Sequence, residues 1–183
     1  MTQALQGKKI AILVADGFEQ VELTEPRKAL EQAGAKVLVI SPAEKKVKGW
    51  NHTEWGDEIK VDTALDAADP AQYQALVLPG GVMNPDKLRR NQKALSFVKA
   101  FFDGRKPVAV ICHGAWTLID AGVARGRKLT SYPSLQTDLK NAGALWVDEE
   151  VIVDRGLISS RRPDDLPAFN KKMVEEFAQA QPT

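Results

Sequence analysis

Cys112 is the single cysteine of this 183-residue chain, and it ends the apolar run Val108-Ala109-Val110-Ile111. His113 and Gly114 follow, and then a helix-like pattern from Trp116 to Ala121. Strand, sharp turn and helix in that order are the layout of a nucleophile elbow, which lifts one side chain above the carboxyl end of a sheet. Free N–H groups at the start of the next helix point at that side chain and favour a negative charge on it. The pattern therefore predicts a reactive Cys112 whose thiol loses its proton more readily than a free one. A lone cysteine at a strand end can also be a small buried hydrophobe. The polar His113 and the glycine directly after it favour chemistry.

Sites in open parallel sheets lie beyond the carboxyl ends of the strands. Three such ends carry suggestive groups: Glu19 and Glu22 after the first strand, Gly80-Gly81 after the third, and Cys112-His113 after the fourth. Glu19 and Glu22 share a face if the turn has already become helical, one toward the cysteine and the other toward solvent or a neighbouring chain. A carboxylate and a thiolate in one partly dry pocket repel, so one of the two keeps its proton. That assigns Glu22 as proton donor or relay and makes Cys112 a candidate for oxidation to sulfenic or sulfinic acid. The alternative is a solvated glutamate in a first helical turn.

His113 within hydrogen-bond reach of the sulfur would be the base of an activated thiol, and such a base needs an orienting group. Asp86 is the acidic candidate, although it could equally cap the next helix. The backbone amides of Gly81 and His113 could hold an oxyanion, or the glycines could serve only the turn. Two histidines and one cysteine lack metal-ligand spacing. Asp16-Gly17-Phe18-Glu19 lacks the glycine-rich nucleotide fingerprint. Neither metal nor cofactor is expected.

Positioning these groups calls for strands alternating with helices. Apolar runs at Lys8–Val14, Lys36–Ile40, Ala75–Leu78 and Val108–Ile111 read as buried parallel strands. Helices are expected over about 21–33, with Pro26 tolerable if the helix effectively starts near Thr24, and over 92–103, 116–121 and 134–142. A closing amphipathic helix carries Phe169, Met173, Val174 and Phe177. Lys46–Trp50 and Glu58–Val61 could pair as edge strands around a loop with His52, Trp55 and Gly56. Further strands are expected at 144–147, 151–154 and 157–159, and residues 1–7 read as a frayed tail. The length suits one domain. A 44% apolar and 27% charged composition with net charge +1 gives no reason to expect nucleic acid or a membrane as partner. No signal-peptide or membrane-spanning segment stands out, and one free thiol suits a reducing, cytoplasmic compartment.

The segments Ala15–Glu22, Leu78–Gly81, Ile111–Gly114, Gly126–Ser131 and Ser160–Leu166, in this order, resemble those of the PfpI-type intracellular protease and general stress protein family of the DJ-1/PfpI superfamily. The resemblance covers roughly residues 8–178 of a single domain spanning 1–183. It implies an α/β, flavodoxin-like three-layer sandwich with a central, mostly parallel sheet and a nucleophile elbow. By likeness Cys112 matches the nucleophile, Glu22 the acid bonded to it, His113 the adjacent histidine, and Glu19 a second carboxylate near the pocket. Asp86 falls where protease-like members carry a glutamate that reaches the histidine of a neighbouring subunit; here the side chain is one methylene shorter and follows a longer loop. The resemblance implies a homodimer or higher homo-oligomer with a shared site, acting on a small carbonyl compound or a peptide. The expected function is glyoxalase or deglycase chemistry on methylglyoxal or glycation adducts. A cysteine peptidase and a redox sensor or chaperone using Cys112 oxidation are the alternatives.

Overall fold

The computed structural model describes residues 3–180. Its centre is a seven-stranded sheet built from β1 (Lys9–Leu13), β3 (Lys36–Ser41), β6 (Thr63–Ala64), β7 (Ala75–Leu78), β8 (Val108–Ile111), β11 (Ile152–Asp154) and β12 (Leu157–Ser160). The spatial order is β11-β12-β8-β7-β1-β3-β6, with every pairing parallel except the β11–β12 hairpin. The five central parallel strands thus follow the flavodoxin-like order, whose direction of winding reverses between β1 and β7.

Alternation along the strands divides the core in two. Ala11 and Leu13 of β1, Leu76 and Leu78 of β7, and Val108 and Val110 of β8 face α3 (Gln92–Asp103), α4 (Ala115–Asp120) and α5 (Gln136–Asn141). Ile10, Ile12, Val77 and Ile111 face α1 (Val21–Gln32) and α6 (Leu166–Ala178). Phe169, Met173 and Phe177 of α6 recur about one turn apart and are fully buried, each worth about 1.5–3 kcal/mol of apolar transfer. Helix α3 starts where the Asn91 side chain accepts from the Ala94 amide at 3.0 Å, so its cap is Asn91 and not Asp86.

Several expectations need correction. Leu5 is fully buried and its amide donates to the Ala33 carbonyl at 2.8 Å, so residues 3–7 close over the end of α1; residues 1 and 2 of the expected tail lie outside the described residues. Helix α1 starts at Val21 and carries Pro26 in its interior, where proline forgoes only the bond to the Glu22 carbonyl. A short helix, α2 (Met83–Leu88), occupies what reads in the sequence as a loop.

The edge hairpin is also longer than its apolar residues suggest. β4 (Lys46–Asn51) and β5 (Glu54–Lys60) leave only His52 and Thr53 between them. They join β2 (Phe18–Glu19) in a separate three-stranded sheet. Two elements place this hairpin over the carboxyl end of the main sheet. The Lys48 amide donates to Asp16 Oδ1 at 2.8 Å, and the Gln20 side chain brackets Asp57 from both sides. No helix among the described residues is long and apolar enough to cross a membrane.

Candidate active site

The turn after β8 puts Cys112 at φ 61°, a left-handed position that a non-glycine residue adopts at a cost. What holds it there is the absence of side chains around it. A Cβ on Gly114 would lie 2.7 Å from the Leu78 carbonyl oxygen. One on Gly80 would lie 2.6 Å from Glu22 Oε1 and 2.7 Å from the Cys112 Cβ. Glycines at 80 and 114 therefore let α1, the end of β7 and the elbow close on one point.

Asn84 of α2 stitches that junction. Its buried amide donates to the Pro79 and Gly80 carbonyls at 3.0 and 3.1 Å, and its oxygen accepts from the Ala15 amide at 2.7 Å. This residue ties the ends of β1 and β7 together where the sheet winding reverses. Nothing in the linear pattern singled it out, because a lone asparagine beside Pro85 reads as turn chemistry.

Three of the expected site residues meet. Cys112 Sγ lies 3.2 Å from His113 Nδ1. Glu22 is fully buried, accepts from the Gly80 amide through Oε1 at 3.0 Å, and interacts with the Cys112 thiol. Its second oxygen, Oε2, is buried without a hydrogen-bond partner, which is where a carboxylic acid would carry its proton. The amides of Gly81 and His113 both favour a negative charge on the sulfur.

Burial and, next, the Glu19 charge push the Glu22 carboxyl up to about 8. Burial also raises the Cys112 thiol, and the adjoining Glu22 charge raises it further. Burial thus works against the easily ionised thiol that the sequence pattern predicts. The helix that follows is only six residues long, and removal of the sulfur from water acts against its terminus. What the arrangement does enforce is that the pair tolerates one negative charge and not two. Burial lowers His113, which holds its imidazole neutral at pH 7. Tyr132 stacks on that ring at 4.6 Å and Trp116 meets it edge-on at 5.1 Å.

Glu22 also makes stability pH-dependent. The folded protein keeps a proton on this carboxyl that the unfolded chain releases near its ordinary 4.5. The contribution is fully present below about pH 4.5 and is lost as pH rises through about 8. Glu22→Gln cannot ionise. Denaturant unfolding across pH 4–9 is expected to show a steeper loss of stability for wild type than for this variant over that window.

Glu19 and Asp86 behave differently. Glu19 Oε1 accepts from the His52 amide at 3.2 Å and lies 3.5 Å from His52 Nδ1, so it faces the hairpin tip while Glu22 faces the sulfur. Asp86 is exposed on α2 and its carboxylate has no hydrogen bond or ion pair among the described residues. Within one chain it does not orient His113, whose Nε2 likewise has no partner among the described residues. The pocket over the sulfur has a volume of about 520 Å³ and is walled by Trp50 and His52 of the hairpin, with Tyr132 and Pro163 opposite. None of these four was expected from the sequence. The hairpin reaches the site through its short pairing with the two-residue β2 and through side-chain tethers, and neither leaves a periodic signal. Among the described residues no group of three or more His, Cys, Asp or Glu side chains could hold a metal ion.

The sequence profile described as the DJ-1/PfpI family matches residues 8–176. Deglycase TK1284 of Thermococcus kodakarensis is 46% identical over 167 residues, covering 91% of this chain and 98% of the relative. General stress protein 18 of Bacillus subtilis is 45% identical over 170 residues, covering 92% and 96%. The crystal structure of Drosophila melanogaster DJ-1beta superposes with a TM-score of 0.85 at 30% identity, covering 97% of this chain and 91% of the other. The elbow, the doubly wound sheet and these likenesses agree: the chain belongs to the DJ-1/PfpI family.

Proposed function

We propose that the protein uses Cys112 as a nucleophile on small carbonyl compounds, with methylglyoxal or the adducts it forms on amines and thiols as the substrate class. The observation that carries this reading is the Sγ–Nδ1 separation of 3.2 Å between Cys112 and a neutral His113, at an elbow bounded by buried Glu22. Relatives named as deglycases at this level of identity support it.

In the reaction, His113 takes the thiol proton as sulfur adds to the aldehyde carbon, giving a hemithioacetal. The oxygen that gains the electron pair is met by the amides of Gly81 and His113. Removal of the proton on the former aldehyde carbon and return of a proton to the adjacent carbonyl carbon converts the adduct to a thioester. His113 and Glu22 are the groups placed to carry these protons. Water then releases lactate and restores the thiol. The sum is dicarbonyl plus water to hydroxy acid, and no external oxidant or reductant is consumed.

An aldehyde asks less of this site than an amide. Its carbonyl is more electrophilic and there is no amine to protonate on departure. Peptide hydrolysis would need His113 held by a third group, and Asp86 of the same chain makes no hydrogen bond to it. A homo-oligomer in which a neighbouring Asp86 approaches the unpartnered Nε2 would supply that group, and we include such an assembly in the proposal.

Proton NMR of product formation from methylglyoxal, from its adducts with N-acetylcysteine and N-acetylarginine, and from a peptide panel tests the reading. Lactate from the first two classes and no peptide cleavage is the expected result. Peptide cleavage without lactate would replace it with the peptidase reading. No product from any class, together with selective oxidation of Cys112 by mild peroxide, would replace it with a sensor.

A further inference from the structure

A second cavity lies at the opposite end of β8 from Cys112, with a volume of about 440 Å³. Arg105, Lys106, Arg127 and Arg155 line it, together with Phe102 and Gly156. These cations come from three separated turns: the end of α3, the loop before β9 (Lys128–Leu129), and the β11–β12 connection. Against them stand few carboxylates. Asp154 pairs with Arg155 at 3.3 Å and accepts from the Lys128 amide at 2.8 Å, and Asp69 acts on Lys106. Arg155 acts repulsively on Arg127.

The cluster is only partly used by the fold. Lys106 Nζ donates to the Pro70 and Tyr73 carbonyls at 3.0 and 2.7 Å. Arg127 lies over the Phe102 ring at 5.2 Å and spends one terminal nitrogen on the Asp154 and Arg155 carbonyls, both at 3.3 Å. Arg155 returns one bond to the Gly126 carbonyl at 3.0 Å. The Arg105 guanidinium makes no hydrogen bond or ion pair among the described residues, its backbone amide alone donating to the Phe102 carbonyl at 3.1 Å. The Nε and second terminal nitrogen of Arg127, one terminal nitrogen of Arg155 and the whole Arg105 guanidinium stay available to a ligand.

Backbone strain points to the same place. Four non-glycine residues among those described have positive φ: His52 at 57°, Arg105 at 55°, Cys112 at 61° and Arg155 at 49°. His52 and Cys112 line the active-site pocket, and Arg105 and Arg155 line this cavity. Arg155-Gly156, both at positive φ, forms a hairpin turn whose first position usually takes asparagine, aspartate or glycine. A guanidinium at such a position costs stability that a smaller residue would not, and strain of this kind collects at binding sites.

We propose that this cavity binds a small molecule bearing a di- or triphosphate. Such a group carries enough charge to neutralise several guanidinium groups and enough oxygens to engage their planar donor forks. The cavity is separate from the thiol site, so the proposal stands whether or not Cys112 turns over carbonyl substrates.

Calorimetric titration with inorganic pyrophosphate and with ATP, both without added divalent metal, tests it on the whole 183-residue chain. Arg105→Gln removes no internal bond, and Arg155→Asn suits the turn, so both variants are expected to fold as wild type does. Saturable binding of pyrophosphate, weakened at least tenfold by each variant, is the expected result. Equal affinity for the two probes identifies the phosphates alone as the recognised part, and markedly tighter ATP binding identifies a nucleotide. Absence of binding by either probe, or binding that both variants leave unchanged, overturns the proposal.

Discussion

Cys112→Ser is expected to reduce lactate formation from methylglyoxal at least about 10³-fold while leaving the fold intact, because an activated nucleophile is not replaced by a weakly acidic hydroxyl. Serine is close to cysteine in size and retains the left-handed strain at φ 61°. Position 112 belongs to a buried apolar cluster but has His113 and Glu22 beside it to pair with a hydroxyl, so thermal unfolding should move little. The loss should appear in kcat more than in KM, since the pocket walls formed by Trp50, Tyr132 and Pro163 are untouched. Lactate formation by this variant at the wild-type rate would remove sulfur from the mechanism and leave Glu22 and His113 to act on a hydrated aldehyde. Chirality of the lactate and the rate itself are both read from one coupled assay.

Gly81→Ala should be the most damaging single methyl group in the protein. Gly81 has φ 77°, and an added Cβ would lie against the Gly17 carbonyl oxygen and 2.6 Å from the Glu19 amide nitrogen. Neither neighbour is the flexible end of a side chain. A left-handed alanine alone costs roughly 1–2 kcal/mol. The overlap with backbone raises the expected total above about 3 kcal/mol, a fall in Tm of at least roughly 6 °C for a chain of this length. The movement needed would displace the segment carrying Glu19 and Glu22, so activity should fall with stability. Gly122→Ala is the control: the same sign of φ, 75°, and nothing within 4 Å of the added carbon. Its cost should stay near the backbone preference alone. Equal melting curves for the two variants would show that crowding at Gly81 is relieved without cost.

Much of the layered fold is legible in the sequence because it rests on local rules. Buried parallel strands are continuous apolar runs, and α6 repeats its aromatic and methionine residues at helical spacing. The elbow is legible for the same reason: Ile111, Cys112 and Gly114 are chain neighbours. Glu22 is legible because its position follows directly from the first strand end. The remainder of the site depends on contacts distant in sequence. Gln20 meets Asp57, Asp16 meets Lys48, and Asn84 meets Ala15; each is a polar bond between segments far apart in the chain, which no apolar period announces. The burial that raises the thiol is hidden for a related reason, since it is a property of the whole packed site and a helix terminus is a property of six residues. The basic cavity shares that invisibility: its four cations are spread from 105 to 155 in separate turns.

The central claim is that Cys112 and Glu22 share one negative charge in a pocket that small reagents reach. Alkylation of the sole cysteine by iodoacetamide, followed by intact mass across pH 6–11 for folded wild type and Glu22→Gln, tests it most directly. The account predicts that folded wild type reacts with a midpoint above the ~8.5 of a free thiol, and that Glu22→Gln lowers that midpoint because no second anion then opposes the thiolate. A folded protein inert to the reagent at every pH, or two superimposed curves at the free-thiol value, would contradict it.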